Sequence, residues 1–186
     1  EEVGTRLFLV AEGTHYYEIV FLMTVAAPEY TFEECEVQEM NMVVQLVPST
    51  DGAWEVRQVD VSNIEEMLGA ADLKFYGVTA DGTITTQYSV SEASQGGGGF
   101  WMSPTDDNGF AHADWYSGTG AFAIWYTGAG TFVFFNVPNL PQFGDKAKAT
   151  FYMANLWNGK AVKLNLTVRY VEEIKEVAPV GEESIE

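Results

Sequence analysis

Cysteine is nearly absent from this chain. Its one copy, Cys35, has no internal partner, so a disulfide scaffold is excluded. It sits in Thr31-Phe32-Glu33-Glu34-Cys35-Glu36, where three neighbouring glutamates are expected to disfavour the thiolate and so a reactive nucleophile. Histidine is almost as scarce. His15 and His112 form no His-x-x-x-His pair and no Cys/His cluster, so no zinc site is expected. Positive charge is thin: nine Lys and Arg stand against 27 Asp and Glu, a net charge of −18. A chain this acidic repels phosphate backbones and anionic lipid, which argues against a nucleic-acid partner. No apolar run approaches the roughly 18 residues of a membrane-spanning helix, so no membrane insertion by this segment is expected. The sequence starts Glu-Glu-Val without methionine, which fits a trimmed or processed form.

Apolar and aromatic residues are plentiful. Aromatics make up 14% of the chain, which supports a sizeable core and argues against disorder. One phrase occurs twice, ten residues apart: Trp115-Tyr116-Ser117-Gly118-Thr119-Gly120-Ala121-Phe122 and Trp125-Tyr126-Thr127-Gly128-Ala129-Gly130-Thr131-Phe132. Each reads as a strand end, a glycine turn and a new strand, because glycine supplies the positive φ of tight turns.

Strand signals dominate elsewhere. Val162, Leu164, Leu166, Val168 and Tyr170 alternate with Lys163, Asn165, Thr167 and Arg169, the pattern of a strand with one core face and one wet face. Thr131 to Val137 is densely apolar, with Phe132, Val133, Phe134 and Phe135 in succession, and reads as a strand covered on both faces. Further strands are expected at 5–11, 16–25, 36–47, 54–61, 73–78, 84–90, 121–126 and 149–155, with turns at Asp51-Gly52 and Asp81-Gly82. One short helix is expected at 62–69, with Ser62 as N-cap, Glu65 completing a capping box and Gly69 closing the helix. The strand pair near residues 5–25 resembles the pair near 149–168. Two ordinary hairpins explain this. So does a first hairpin that is the tail of a preceding sandwich-like unit, or an extra hairpin on the main sheet, with Pro28 marking a break.

The fold expected is therefore all-β: an antiparallel β-sandwich, jelly-roll or immunoglobulin-like, with one short helix. Residues 1–59 are read as N-terminal hairpins, either the tail of a preceding repeat or part of the same sandwich. Residues 60–171 are the sandwich and 172–186 an acidic tail.

Motif chemistry narrows the function less than the fold. Gln95-Gly96-Gly97-Gly98-Gly99-Phe100-Trp101 is not followed by Gly-Lys-Ser/Thr or by a helix, so nucleotide binding is rejected. Asp106-Asp107-Asn108-Gly109 is a turn signature that lacks calcium-loop spacing. His112 and Asp114 share a strand face, but no nucleophile elbow accompanies them, and a surface histidine is the preferred reading. The ligand-binding candidates are Trp101, Trp115, Tyr116, Trp125 and Trp157, which lie beside Gly or Asn turns, together with Asp114. Aromatic faces stack on sugar C–H groups while Asp and Asn bond hydroxyls. Core packing is the competing reading for each tryptophan. No cofactor, metal or catalytic residue is expected.

Residues of about 60–171 resemble a domain family of unknown function in secreted or lipid-anchored surface proteins of Bacteroidetes. The likeness rests on an ordered series. Asn63-Ile64 to Leu68-Gly69 comes first, then Asp81-Gly82 before a Thr-rich strand, then Gly99-Phe100-Trp101 with its Asp/Asn-Gly turn. Asp114-Trp115, Phe132 to Val137, a Pro-containing loop, Gly144-Asp145 and the hairpin ending at Val168 complete it. Met102 stands where the family often carries His or Asp beside Trp101. The resemblance implies an extracytoplasmic β-sandwich near carbohydrate-active machinery, and it supplies no catalytic residues. The expected function is a noncatalytic binding or accessory module for a poly- or oligosaccharide. The alternatives are a structural or adhesion module, and a glycan hydrolase with an unrecognised carboxylate pair.

Overall fold

The computed structural model describes residues 2–10, 16–24, 30–47, 55–69, 73–86, 98–114, 120–136 and 144–175. Eleven strands and one α-helix follow in chain order: β1 (Glu2–Val10), β2 (Tyr16–Thr24), β3 (Glu36–Leu46), β4 (Glu55–Asp60), α1 (Ser62–Leu68), β5 (Lys74–Val78), β6 (Ile84–Thr85), β7 (Gly98–Trp101), β8 (Phe122–Tyr126), β9 (Thr131–Asn136), β10 (Gly144–Asn155) and β11 (Lys160–Tyr170). A single 3-10 turn, Phe32–Glu34, precedes β3.

Two sheets make the sandwich. One runs β3-β11-β10-β5-β6 and the other β4-β9-β8-β7. This is the order of the G-F-C and B-E-D strands in the immunoglobulin arrangement, which decides against the jelly-roll. Strands from both sides of residue 60 share each sheet: β3 pairs with β11, and β4 with β9. The β3–β11 pair is parallel, from Glu36↔Lys160 to Leu46↔Tyr170, while the other strand pairs of the sandwich are antiparallel, as expected. β1 and β2 pair with each other, and with neither sheet of the sandwich among the described residues.

Alternation does what it should in β11. Val162, Leu164, Leu166, Val168 and Tyr170 are buried, while their neighbours at 163, 165, 167 and 169 are not. In β9 Phe132 and Phe134 are buried, but Val133 and Phe135 are only half-buried, so one face is fully covered rather than two. The core is aromatic. Phe75 of β5 sits 5.4 Å from Phe100, 5.3 Å from Phe132 and 5.3 Å from Phe151, ring centroid to centroid. Rings from both sheets thus interdigitate, in the offset and edge-on geometries that aromatic quadrupoles favour. On the outer face of the five-stranded sheet, Phe32 covers Tyr76 and Tyr152 at 4.7 and 5.3 Å.

The helix is anchored differently from its sequence signature. Its N-cap is Val61, not Ser62, and there is no side-chain cap. The Ser62 N–H donates to Asp60 Oδ1 at 2.8 Å. Glu65 turns away from the helix start. Its Oε1 accepts the Tyr126 hydroxyl and the Gly130 N–H, while the Gly130 carbonyl accepts the Val61 N–H at 2.8 Å. The second copy of the doubled phrase therefore forms the expected β8–β9 hairpin, and its last glycine docks α1. Gly130 has φ +65, and a Cβ there would lie 3.3 Å from Glu65 Oε2. The turn of the first copy spans 115–119, which lie outside the described residues, as do Asp51-Gly52 and His15.

Burial, together with the Glu65 carboxylate, pushes the Tyr126 phenol far above its usual range, and burial alone does the same for Tyr170. A phenol whose folded pKa is raised contributes stability below the ordinary tyrosine value of about 10 and loses it as pH climbs. In an absorbance titration at alkaline pH, Tyr126 and Tyr170 should ionise only as the chain unfolds. The nine tyrosines ionising together in one step near pH ~10 would contradict this burial.

Candidate functional site

The pole of the sandwich that holds the β5–β6 turn carries an open cleft of about 370 Å³. It is lined by Thr79, Asp81, Thr83, Thr85, Ser103, His112 and Asp114, with Ala80 and Ala113 between them. One wall is the turn itself. Asp81 Oδ1 accepts the Thr79 hydroxyl and the Thr83 N–H (3.1 Å), and the Thr79 N–H donates to the Thr83 carbonyl at 3.0 Å. The Thr79 hydroxyl first, then the Thr83 amide, hold the Asp81 carboxyl below the usual carboxylate range. Asp81 is thus an ionised group from mildly acid pH upward.

The other wall folds out of the opposite sheet. After β7 the chain makes a tight excursion through residues 102–114. The bridge Met102↔Ala113 closes it, and the Ser103 N–H donates to the His112 carbonyl at 2.8 Å. Asp106 shapes the tip: its Oδ1 accepts the N–H groups of Asn108 and Phe110, both at 2.9 Å. These bonds, the Phe110 amide foremost, lower the Asp106 pKa. The turn reading of Asp106-Asp107-Asn108-Gly109 therefore holds, with Gly109 at φ +81. The whole excursion is stitched to the five-stranded sheet. The Ala111 N–H reaches the Lys148 carbonyl and the Ala113 N–H the Val78 carbonyl, both at 2.8 Å. Two sheets thereby present their polar loops to one cleft.

His112 is half-buried. Its Nε2 lies 3.4 Å from Asp106 Oδ2, so the acid beside it is Asp106 rather than Asp114. Cys35 lies elsewhere, with Sγ 3.4 Å from the Thr31 carbonyl. Burial first, then Glu34 and Glu33, raise its pKa, which disfavours the thiolate with burial as the larger cause.

The nominated ligand residues separate. Asp114 is exposed in the cleft, and its N–H donates to the Trp101 carbonyl at 3.2 Å. Register places Trp101 and Trp125 on the outer face of the four-stranded sheet, opposite Ala123 and Gly99. Both are half-buried. A Cβ on Gly99 would stand 2.6 Å from the Ile124 carbonyl oxygen and 2.8 Å from the Trp125 ring, so the glycine is what lets β8 approach β7 this closely. Trp157 is 37% exposed in the β10–β11 turn, at the far pole from Asp114. The Lys148 carbonyl that holds the excursion and the Asn155 end of β10 are seven residues apart, roughly 20 Å. Trp115 and Tyr116 lie outside the described residues.

Sequence reasoning missed Thr79, Asp81, Thr83, Thr85 and Ser103 as a group. The alternation Thr79-x-Asp81-x-Thr83-x-Thr85 is the signal for them, and it coincides with the Asp81-Gly82 turn and the Thr-rich strand after it. Among the described residues no group of three or more His, Cys, Asp or Glu side chains is placed to hold a metal ion, and no helix is long and apolar enough to cross a membrane. Comparison of the chain with family models, with curated proteins and with solved structures gives no match.

Proposed function

We propose that this chain is a noncatalytic, extracytoplasmic binding module that takes a poly- or oligosaccharide into the cleft between the β5–β6 turn and the 102–114 excursion. The observation that carries this reading is the lining. Two carboxylates, an imidazole and four hydroxyl side chains converge on one open cleft of about 370 Å³. A sugar presents closely spaced hydroxyls that both donate and accept. Asp114 offers acceptors to them, and the Thr79 and Ser103 hydroxyls, whose protons go to Asp81 and the Pro104 carbonyl, add acceptor lone pairs. The rigid sandwich behind the loops holds the set in place before ligand arrives, which limits the ordering cost of binding. Trp101 is tied through its carbonyl to the Asp114 N–H.

The test is a polysaccharide array followed by calorimetry. Asp114→Ala should weaken binding about 10- to 100-fold, the loss of one or two hydrogen bonds to a charged acceptor. Its thermal midpoint should stay within a few degrees of the parent's. No binding across a broad array, or binding indifferent to Asp114→Ala, would remove the glycan reading. It would leave a structural or adhesive module, the reading that the separation of Trp157 from Asp114 favours.

A further inference from the structure

Among the described residues the β1–β2 hairpin forms a two-stranded sheet of its own. It is long and regular, paired from Glu2↔Thr24 to Val10↔Tyr16 without a break. Register puts Leu7, Leu9, Ile19, Phe21 and Met23 on one face, with Leu7 opposite Ile19. A two-stranded hairpin with an apolar face is marginal in water unless further strands or a second layer cover it. Yet among the described residues β1 and β2 join neither sheet of the sandwich.

The same molecule shows what covers such a hairpin. β10 and β11 repeat the plan: Phe151 pairs with Leu164 and Met153 with Val162, and all four are buried against the opposite sheet. The sequence after each hairpin is also alike. Val25-Ala26-Ala27-Pro28 follows β2, and Val177-Ala178-Pro179 follows β11 by a longer path.

The poles of the sandwich add an independent argument. The chain comes into the sandwich at the β10–β11 turn. There the Tyr30 N–H donates to the Leu156 carbonyl at 3.1 Å and the Glu36 N–H to the Gly159 carbonyl at 2.8 Å. The Tyr30 ring lies where a Cβ on Gly159 would be, 3.0 Å away. It leaves at the other end of β11, where the Val171 N–H donates to the Leu46 carbonyl at 2.9 Å. An eleven-residue strand separates the two points, roughly 35 Å. Domains that take the chain in at one pole and release it at the other can be strung in line.

We propose that β1–β2 is the closing hairpin of a preceding sandwich of the same kind, and that the polypeptide strings such units pole to pole. The hairpin then stands to that unit as β10–β11 stands to this one, and 25–35 is the connection between them. Its apolar face is covered by the second sheet of the preceding unit.

Amide hydrogen exchange tests this on two chains: the 186-residue chain and the natural polypeptide extended upstream by one domain, on the order of 100–150 residues. In the shorter chain the amides of β1 and β2 should exchange about 100-fold faster, or more, than those of β10 and β11. In the extended chain they should approach the protection of β10–β11. Three results would overturn the proposal. One is full protection in the shorter chain as a monomer, meaning the hairpin docks on its own sandwich. Another is protection that rises with concentration alongside a dimer mass by light scattering, meaning a second copy is the cover. The third is a natural upstream segment without a sandwich's length of alternating strands, or one that leaves the hairpin unprotected.

Discussion

Replacing Asn155 by alanine should cost about 2–4 kcal/mol of stability. The midpoint of thermal unfolding should fall by roughly 5–15 °C. Asn155 is 3% exposed and is the one buried polar side chain among the described residues. Its Nδ2 donates to the Leu68 and Gly69 carbonyls at 3.0 and 2.7 Å, and its Oδ1 accepts the Trp157 N–H at 3.0 Å. Asn158 supports it with a bond to the Leu68 carbonyl at 2.8 Å. The last turn of a helix leaves carbonyls without intrahelical partners. Here the β10–β11 turn supplies them from across the molecule, while Gly69 at φ +74 ends the helix. Alanine removes all three Asn155 bonds at once. Asn155→Asp separates the causes. It keeps the acceptor for Trp157 but sets a carboxylate against two carbonyls, which raises its pKa. A raised acid pKa favours the fold only below the unfolded value and loses that contribution as pH rises. The Asp variant should therefore be poorest near neutral pH and recover toward the parent as pH falls below about 4. An Asn155→Ala protein as stable as the parent in a denaturant titration would show that α1 is held by its apolar face alone.

Much of this fold is written in period. The β11 alternation, the dense run at Phe132 to Phe135 and the Thr127–Gly130 turn are short-range signals, and each produced the strand or turn it predicts. What escaped depends on contacts far apart in the chain. Nothing local in Glu36–Leu46 says that it lies parallel to β11, because a parallel pair is joined by no turn of its own. Ser62 and Glu65 have capping-box spacing, yet Glu65 is drawn off by Tyr126 and Gly130, more than sixty residues on. The cleft escaped for the same reason. Its two walls belong to different sheets, and long-range bonds at Gly109, Ala111 and Ala113 bring them together. Asp114 was legible as a polar residue beside a tryptophan. Its neighbour Asp81 was legible only as a turn former, and Ser103 carried no local signal.

The close approach that builds the cleft yields the second large effect. Gly77→Ala should destabilise the protein by about 1–3 kcal/mol. A Cβ at Gly77 would stand 2.5 Å from the Ala113 Cβ and 3.0 Å from the Phe100 ring. Carbon atoms at optimal contact are about 3.5–4.0 Å apart, so Ala113 or the strand must move. No positive φ is involved, and the cost is one of space alone. Ala113→Gly removes the nearest obstacle. In a double-mutant cycle Gly77→Ala should be milder by about 1 kcal/mol or more in the Ala113→Gly background than in the parent. Additive effects would mean that the clash is absorbed at Phe100 instead. Ala113 lies between His112 and Asp114, and its N–H bonds the Val78 carbonyl at 2.8 Å. Pushing it outward shifts Asp114 relative to Asp81 across the cleft. On the proposed glycan reading, the single variant should therefore lose sugar affinity in step with stability, and the double variant should recover both. Gly77 thus acts as the spacer that lets a loop from one sheet lie against the end of the other, so the depth of the cleft is set by the absence of a methyl group some distance beneath it.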